Sequence, residues 1–523
     1  MTLRQLIEER SKLGDKVWMI NAPDGREWTY ADLGRVTNKI GHLLAGLGVE
    51  KGDKVSLLLP NVPEFVFFYL GVPKMGAVVG PVNALFKGRG VQFVVNHAES
   101  KVLVTTPQFM PIVEQIRDDL PLVKEIVLVG DEEEVEKWPG AKSFSRLFEA
   151  APDESLPDPG ITDDDVAAIL YTSGTTGFPK GVLQTHGNIV ANGRQCAEAL
   201  PSSPDFRYML ILPLFHVNGQ IVTVITPLTV GATTVLTPGF SATKHWEIVE
   251  KYRCSTFSAV PTILTVLSQV PIREGADLSS LKFVICGAAP LSVETLKQFE
   301  AKFPSAKVVE GYGLTEGTCA SSVNPFPTET EDRRKIGSIG LPLPDQEILI
   351  VDKDGNPLPP RQLGEIVIRG PNVMKGYFKN PEANAETLKP VKGHEGMWLY
   401  TGDVGFLDED GFLYIRDRIK DMIIRGGENI YPKEVEEVLY TFPGVSLAAV
   451  VGVPDEKYGE EVKAYLVMKE GVPRPSAEEV IAFCKQHLAD FQCPRYVEFR
   501  DSLPLTATGK ISKKDLREEA AAR

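Results

Sequence analysis

Residues 171–182 read Y-T-S-G-T-T-G-F-P-K-G-V, directly after the apolar run V-A-A-I-L at 166–170. The run has the length and composition of a buried strand. The twelve residues after it hold three threonines, one serine, three glycines and a single lysine. Glycines let backbone N–H groups converge on an anion, hydroxyls add donors, and the lysine adds a mobile positive charge. The stretch therefore predicts a phosphate-holding loop between a strand and a helix, with the helix at about 186–197 offering its positive end. Two common nucleotide loops are disfavoured. Lys180 is followed by Gly181 rather than Ser or Thr, and no G-x-G-x-x-G opens a helix after a strand.

Outward from this loop, short apolar runs alternate with helical patterns: 54–59, 102–104, 126–129, 209–212, 233–236 and 283–285. Thr29 and Asp32 have the spacing of a capping box, opening a helix that runs to about Leu47, and Pro63 starts another. Such alternation predicts layered α/β structure. After about Gly337 the texture changes. Runs at 347–351, 365–369 and 414–416, joined by Asp354-Gly355 and Asp410-Gly411 turns, predict antiparallel strands forming a small β-barrel or sheet. The charged run R-D-R-I-K-D at 416–421 precedes a fresh helix and further strands. The expected organisation is an α/β N-terminal domain at 1–416, its β-rich subdomain at about 337–416, a hinge at 417–421, and a smaller α+β domain at 422–523.

The 523 residues are 43% hydrophobic and 24% charged, with a formal net charge of −14. That balance argues against a nucleic-acid or anionic-membrane surface. Six scattered cysteines, without C-x-x-C spacing, read as reduced structural thiols. The N-terminal segment lacks the apolar core of a signal peptide, and the apolar stretch at 65–82 is broken by Lys74, two prolines and three glycines. The expectation is a cytoplasmic protein without a transmembrane segment; a homodimer is left open.

Six further motifs follow the loop: Pro213-Leu214-Phe215-His216; Gly311-Tyr312-Gly313-Leu314-Thr315-Glu316; Tyr400-Thr401-Gly402-Asp403; Arg418 with Lys420-Asp421; Arg425-Gly426-Gly427-Glu428-Asn429-Ile430-Tyr431-Pro432; and Pro504-Leu505-Thr506-Ala507-Thr508-Gly509-Lys510. In that order, and over almost the entire chain, they resemble the adenylate-forming superfamily of acyl-CoA synthetases, carrier-linked adenylation domains and beetle luciferases. The look is nearest to fatty-acyl and carnitine-type CoA ligases.

The resemblance implies ATP, Mg²⁺ and coenzyme A, an acyl-adenylate intermediate, and a set of roles. Lys510 would bridge the acid's carboxylate and the α-phosphate. Thr172, Ser173, Gly174, Thr175, Thr176, Gly177 and Lys180 would clamp the β- and γ-phosphates. Gly287, Ala288, Ala289 and Pro290 would face Tyr312 across the adenine, with Gly311, Gly313 and Thr315 completing the nucleotide site. Asp403 would accept from the ribose hydroxyls, with Arg418 beside it, and Glu316 with Thr172 would hold Mg²⁺. His216 would contact or gate the carboxylate. Rotation about Lys420 would exchange the Lys510 face for a face with Arg425, Gly426 and Gly427 that admits the CoA thiol.

Residues 209–243 contain one histidine and no Lys, Arg, Asp or Glu. The resemblance places the acyl pocket near His216 to Thr237, and a stretch without charge there would favour an apolar monocarboxylic acid, a medium- or long-chain fatty acid first and an aryl, alicyclic or carnitine-type acid next. A fatty acyl-AMP ligase usually carries an extra insertion, not evident here. A carrier-directed enzyme would carry a carrier domain with an Asp-Ser-Leu attachment motif after Lys510, which is not the expectation here. A non-catalytic nucleotide sensor would have lost Lys510 or Glu316.

Overall fold

The computed structural model describes residues 1–172, 179–287, 291–328, 331–506 and 511–521. Two large sheets form its body. One has nine strands. Six of them, Lys307–Tyr312, Phe283–Cys286, Thr256–Ala259, Arg207–Leu210, Thr233–Leu236 and Val17–Asn21, lie parallel in that spatial order. The other has eight strands, built on the parallel set Val166–Thr172, Val78–Pro81, Lys54–Leu58, Ser100–Thr105, Glu125–Leu128 and Ala141–Ser143.

A single buried cluster takes side chains from both sheets and from the helices between them. The helix Pro63–Lys74 shows why. Every residue from Phe65 to Lys74 is buried, and a helix apolar all round is stable only when enclosed on every side. Burying each of its phenylalanines is worth roughly 2–3 kcal/mol. Its neighbour Tyr30–Gly46 starts with the Thr29–Asp32 capping box. The two approach so closely that a Cβ on Gly71 would lie 2.6 Å from Ile40 Cβ. Lys74 is admitted because its ammonium donates to Thr37 Oγ1 at 2.9 Å; burial pulls its pKa down to about 8.

One expectation needs correction. The loop beginning after Thr172 is followed by a strand, Lys180–Thr185, antiparallel to Val166–Thr172 with Thr172 opposite Lys180. The helix His186–Ala199 starts only at the far end of that strand, where Thr185 and Asn188 form its capping box. Its positive end is thus about 20 Å from the mouth of the hairpin. The β-rich region is a five-stranded antiparallel sheet, as the barrel-or-sheet expectation allows. Alternate side chains of strands Glu347–Val351, Gly364–Arg369 and Trp398–Leu407 feed two separate clusters, Ile348, Ile350, Ile366, Ile368 and Leu399 in one, Val351, Val367, Trp398 and Tyr400 in the other.

The strand Leu413–Arg418 ends this sheet, and from Ile423 the chain builds a new one. It comprises the hairpins Ile423–Arg425 with Glu428–Ile430 and Val445–Asp455 with Gly459–Met468, plus the parallel strand Tyr496–Arg500. Helices Pro432–Thr441 and Ala477–His487 cover one face, and Lys513–Ala521 lies against the other. All six cysteines are buried and free. Among the described residues no helix is long and apolar enough to cross a membrane.

Candidate active site

Strands Phe283–Cys286 and Lys307–Tyr312 are parallel neighbours with Cys286 opposite Glu310. Gly287 therefore leaves the sheet beside Gly311, the penultimate residue of its neighbour, near the carboxyl ends of the two strands, where open α/β sheets place ligands. A Cβ on Gly287 would come within 2.8 Å of the Gly311 carbonyl oxygen, so the two turns can lie together only without a side chain there.

Beyond Tyr312 the chain doubles back on itself. A Cβ on Gly313 would sit 1.6 Å from the Cys319 carbonyl oxygen. The short 3₁₀ turn Thr315–Gly317 ends at Thr318, whose φ is 65° and ψ −53°. Cys319 N–H donates to Gly317 O at 2.8 Å across it. This is a γ-turn centred on a β-branched residue, a strained conformation that persists only when its surroundings enforce it. They do. Gln184 Nε2 donates to the carbonyls of Thr315 and Thr318, both at 3.1 Å. Thr318 Oγ1 donates to Asn372 O at 2.6 Å, and Asn372 Nδ2 to Gly317 O at 3.0 Å. Met374 N–H donates to Glu316 O at 2.8 Å. Glu316 thus stands on a clamped loop.

Two tyrosine–carboxylate pairs result. In the first, Tyr312 donates its hydroxyl to Asp403 Oδ2 at 2.6 Å, and Arg418 Nε lies 3.1 Å from Asp403 Oδ1. Asp403 and Arg418 are direct cross-strand partners, so sheet register makes this ion pair. Burial first, then the Asp403 charge, pushes the Tyr312 phenol well above its usual pKa. In the second, Tyr377 donates to Glu316 Oε1 at 2.9 Å, and Lys180 Nζ lies over the Tyr377 ring, 4.9 Å from its centre. Tyr377 reaches this place because Gly376–Tyr377 pairs with Lys180–Thr185. Burial, then the Glu316 charge, raises the Tyr377 phenol pKa.

The structure so joins Tyr312 with Asp403 and Arg418, Glu316 with Lys180 through Tyr377, and Gly287 with Gly311. Thr172 stands opposite Lys180 at the mouth of the hairpin. His216 follows strand Arg207–Leu210, its ring on Phe215 with centroids 4.6 Å apart, just before the π-helix Asn218–Ile225. Lys420 is exposed in the 418–421 turn. Arg425, Gly426 and Gly427 are not brought to these corners. Both glycines have positive φ, 60° and 91°, as a tight hairpin requires. Arg425 pairs with Glu461 at 2.7 Å and covers Tyr458 within its own domain. Ser173, Gly174, Thr175, Thr176, Gly177, Ala288, Ala289, Pro290 and Lys510 lie outside the described residues.

Tyr377, Asn372 and Gln184 escaped the sequence reading. Gln184 left a trace, an amide inside an otherwise apolar strand; Tyr377 left none, because its role depends on pairing between residues nearly two hundred apart.

The AMP-binding enzyme family matches residues 7–378, and the C-terminal domain of AMP-binding enzymes matches 434–510. The chain is 36% identical over 518 residues to a long-chain-fatty-acid–CoA ligase of Bacillus subtilis (strain 168), covering 95% of this chain and 90% of the relative. It is 35% identical over 520 residues to the sulfoacetate–CoA ligase of Cupriavidus necator, covering 99% and 98%. MatB from Rhodopseudomonas palustris is 30% identical over 99% of both chains, with a TM-score of 0.88 for its ATP-bound structure and 0.78 for its apo structure. The present arrangement is therefore nearer the ATP-bound one. The two acids in the relatives' names differ greatly, so family alone leaves the acid open. With these matches running through both the body and the C-terminal domain, the chain belongs to the AMP-binding enzyme family and is an acid–thiol ligase.

Proposed function

We propose that this enzyme joins an apolar monocarboxylic acid, a medium- or long-chain fatty acid, to coenzyme A in two half-reactions. First, a carboxylate oxygen attacks the α-phosphorus of ATP; the bond to the bridging oxygen breaks and pyrophosphate leaves. Then the CoA sulfur attacks the acyl carbon, the bond to AMP breaks, and the thiol proton passes to solvent. The acid needs no general base, since a carboxylic acid is already ionised near neutrality. The difficulty is bringing two anions together, which calls for fixed positive charge and donors.

The observation that carries the nucleotide half is the pair of tyrosine–carboxylate corners beside the Gly287 and Gly311 turns. Asp403 keeps acceptor capacity for ribose hydroxyls even with Tyr312 and Arg418 bound, because each carboxylate oxygen accepts two hydrogen bonds. Tyr312 offers a ring for the adenine, Lys180 a charge for phosphate, and Lys510 the ammonium between carboxylate and α-phosphate. Mg²⁺ fits the Glu316 corner. Glu316 Oε2 has no protein hydrogen bond among the described residues, and Mg²⁺ suits one carboxylate plus phosphates and waters. Glu316, with the Thr172 hydroxyl, would hold the ion, and when bound it would neutralise phosphate charge. The domains divide at 417–421, and the C-terminal domain turns about Lys420 between the half-reactions.

For the acid, the carrying feature is the charge-free segment 209–243. Gly219 to Ile225 are buried in the π-helix, and Thr223 and Thr226 turn their hydroxyls back to Gly219 O and Ile221 O at 2.7 and 2.9 Å. What remains is aliphatic: Ile221, Val222, Val224 and Ile225, all part of the central apolar cluster. A second reading, an acid with a polar substituent such as a carnitine-type acid, is favoured by Asn218. Its Oδ1 is buried without a hydrogen-bond partner among the described residues.

A panel of acids with ATP and Mg²⁺, with and without CoA, tests both readings. The proposal expects pyrophosphate release with apolar acids and thioester only with CoA. Turnover confined to acids bearing a second polar group would replace the first reading with the second. Adenylate without thioester would indicate an acyl-AMP ligase.

A further inference from the structure

The 418–421 turn is held differently on its two sides. Upstream, Arg418 is paired to Asp403, and Ile419 N–H donates to Gly402 O at 2.9 Å, so both residues belong to the body. Downstream, the Arg517 guanidinium lies 2.7 Å from Asp421 Oδ1 and donates to the Lys420 carbonyl at 3.4 Å. Those two groups flank one peptide plane. Rotation within Lys420 leaves both where they are relative to each other, whereas rotation at Asp421 would separate them.

Arg517 is itself firmly seated. It lies in the helix Lys513–Ala521, whose Leu516 is fully buried against the module's sheet. Tyr465 donates its hydroxyl to Leu516 O at 3.3 Å. In the first turn Lys513 pairs with Glu436 at 2.9 Å, and Glu436 also accepts from Val450 N–H at 2.8 Å. Ser512 N–H donates to Pro504 O at 2.8 Å, so the segment leading out of Lys510 joins the same body.

Resting on the hinge reading above, we propose that Arg517 is a positioning residue that pins the downstream side of the hinge to the C-terminal helix. The whole module, Lys510 included, then turns about Lys420 alone. The contacts such a turn gives up are those across the boundary: Asp421 and Met422 N–H to Arg418 O, Lys433 to Asp417 and Ile415, and Arg416 to Glu434. Without the pin, rotation spreads over several residues and Lys510 arrives imprecisely, at a cost that grows steeply with misplacement.

The test uses the full-length Arg517→Met and Arg517→Lys variants, with Asp421→Asn removing the same contact from the other side should Arg517→Met fold poorly. Limited trypsin digestion reads cleavage after Arg418 and Lys420. Arg517→Met and Asp421→Asn are expected to be nicked there about tenfold faster than wild type, with Arg517→Lys between. Cleavage inside the module, after Lys457 or Lys485, should be unchanged. Pyrophosphate release and thioester formation should both fall about tenfold, at an unchanged KM for ATP. Wild-type nicking at the hinge, or equal acceleration inside the module, overturns the pin in favour of no role or a merely structural one. A wild-type enzyme that releases no pyrophosphate with any acid would instead sink the proposed function, leaving the nicking comparison standing.

Discussion

The Asp403 and Glu316 corners use the same three kinds of group, a tyrosine hydroxyl, a carboxylate and a cation, and arrive at opposite electrostatic states. At Asp403 the cation is delivered by strand register, so Arg418 pairs directly with the carboxylate and each oxygen already has a partner. At Glu316 the cation is held off by an aromatic ring. Lys180 sits on the face of Tyr377 while the hydroxyl on that ring reaches the carboxylate, leaving one oxygen and one ammonium uncommitted to each other. A neutralised carboxylate suits an uncharged ribose. One that keeps its charge suits a divalent cation, and a lysine kept from it suits a phosphate. What separates the two corners is how the cation is supplied.

The sharpest way to break this contrast is Glu316→Gln. The amide preserves an acceptor for Tyr377 but removes the charge. Pyrophosphate release should fall by about 10²- to 10³-fold, with a weakened dependence on Mg²⁺ concentration; a wild-type Mg²⁺ profile would show that the open oxygen holds no metal. Asp403→Asn should act on binding instead. Losing the charge that Arg418 and the ribose share is expected to raise KM for ATP by about 10- to 100-fold while kcat changes less. A variant that merely melts earlier, with unaltered KM, would make this corner a structural ion pair.

A third carboxyl sharpens the picture at the Tyr312 strand. Glu310 is buried, and burial lifts its pKa to about 7 against the opposing pull of Lys433, a hydrogen bond from Gly337 N–H, and Arg334. Because the folded value exceeds the unfolded one, the folded state holds this proton between about pH 4.5 and 7 while the unfolded chain releases it. Glu310's contribution to stability therefore falls as pH rises through that window, by about 3 kcal/mol overall. Glu310→Gln should remove the loss, so the variant's Tm relative to wild type climbs from pH 5 to pH 7.5. A pH-independent difference would mean the carboxyl is ionised when folded. The smallest effect belongs to Tyr377→Phe. One hydrogen bond to Glu316 is lost while the ring still carries Lys180, so pyrophosphate release should fall only about fivefold. A loss as large as that of Glu316→Gln would show that the hydroxyl does more than orient the carboxylate.

Much of this enzyme could be read along the chain because the information is local. The Thr29–Asp32 cap, the strand runs and the turn glycines state their own geometry within a few residues. The motif Gly311-Tyr312-Gly313-Leu314-Thr315-Glu316 marks its loop by needing glycine where backbone meets backbone. Locality also explains what the chain left undecided. The residues after Pro179 suit either a strand or the approach to a helix, and only pairing with Val166–Thr172 makes Lys180–Thr185 a strand. The run 347–369 predicts antiparallel pairing but not whether the sheet closes, since closure depends on which face each side chain finds covered.

Composition and motif by themselves determined the family and the layered α/β architecture, because those properties reside in residue type and short-range spacing. Tertiary structure alone decided that Arg418 neutralises Asp403, that Tyr377 stands between Lys180 and Glu316, and that Arg517 reaches Asp421 and the Lys420 carbonyl. Each of these joins side chains far apart in the chain, and such meetings are set by strand register and packing that no local stretch encodes.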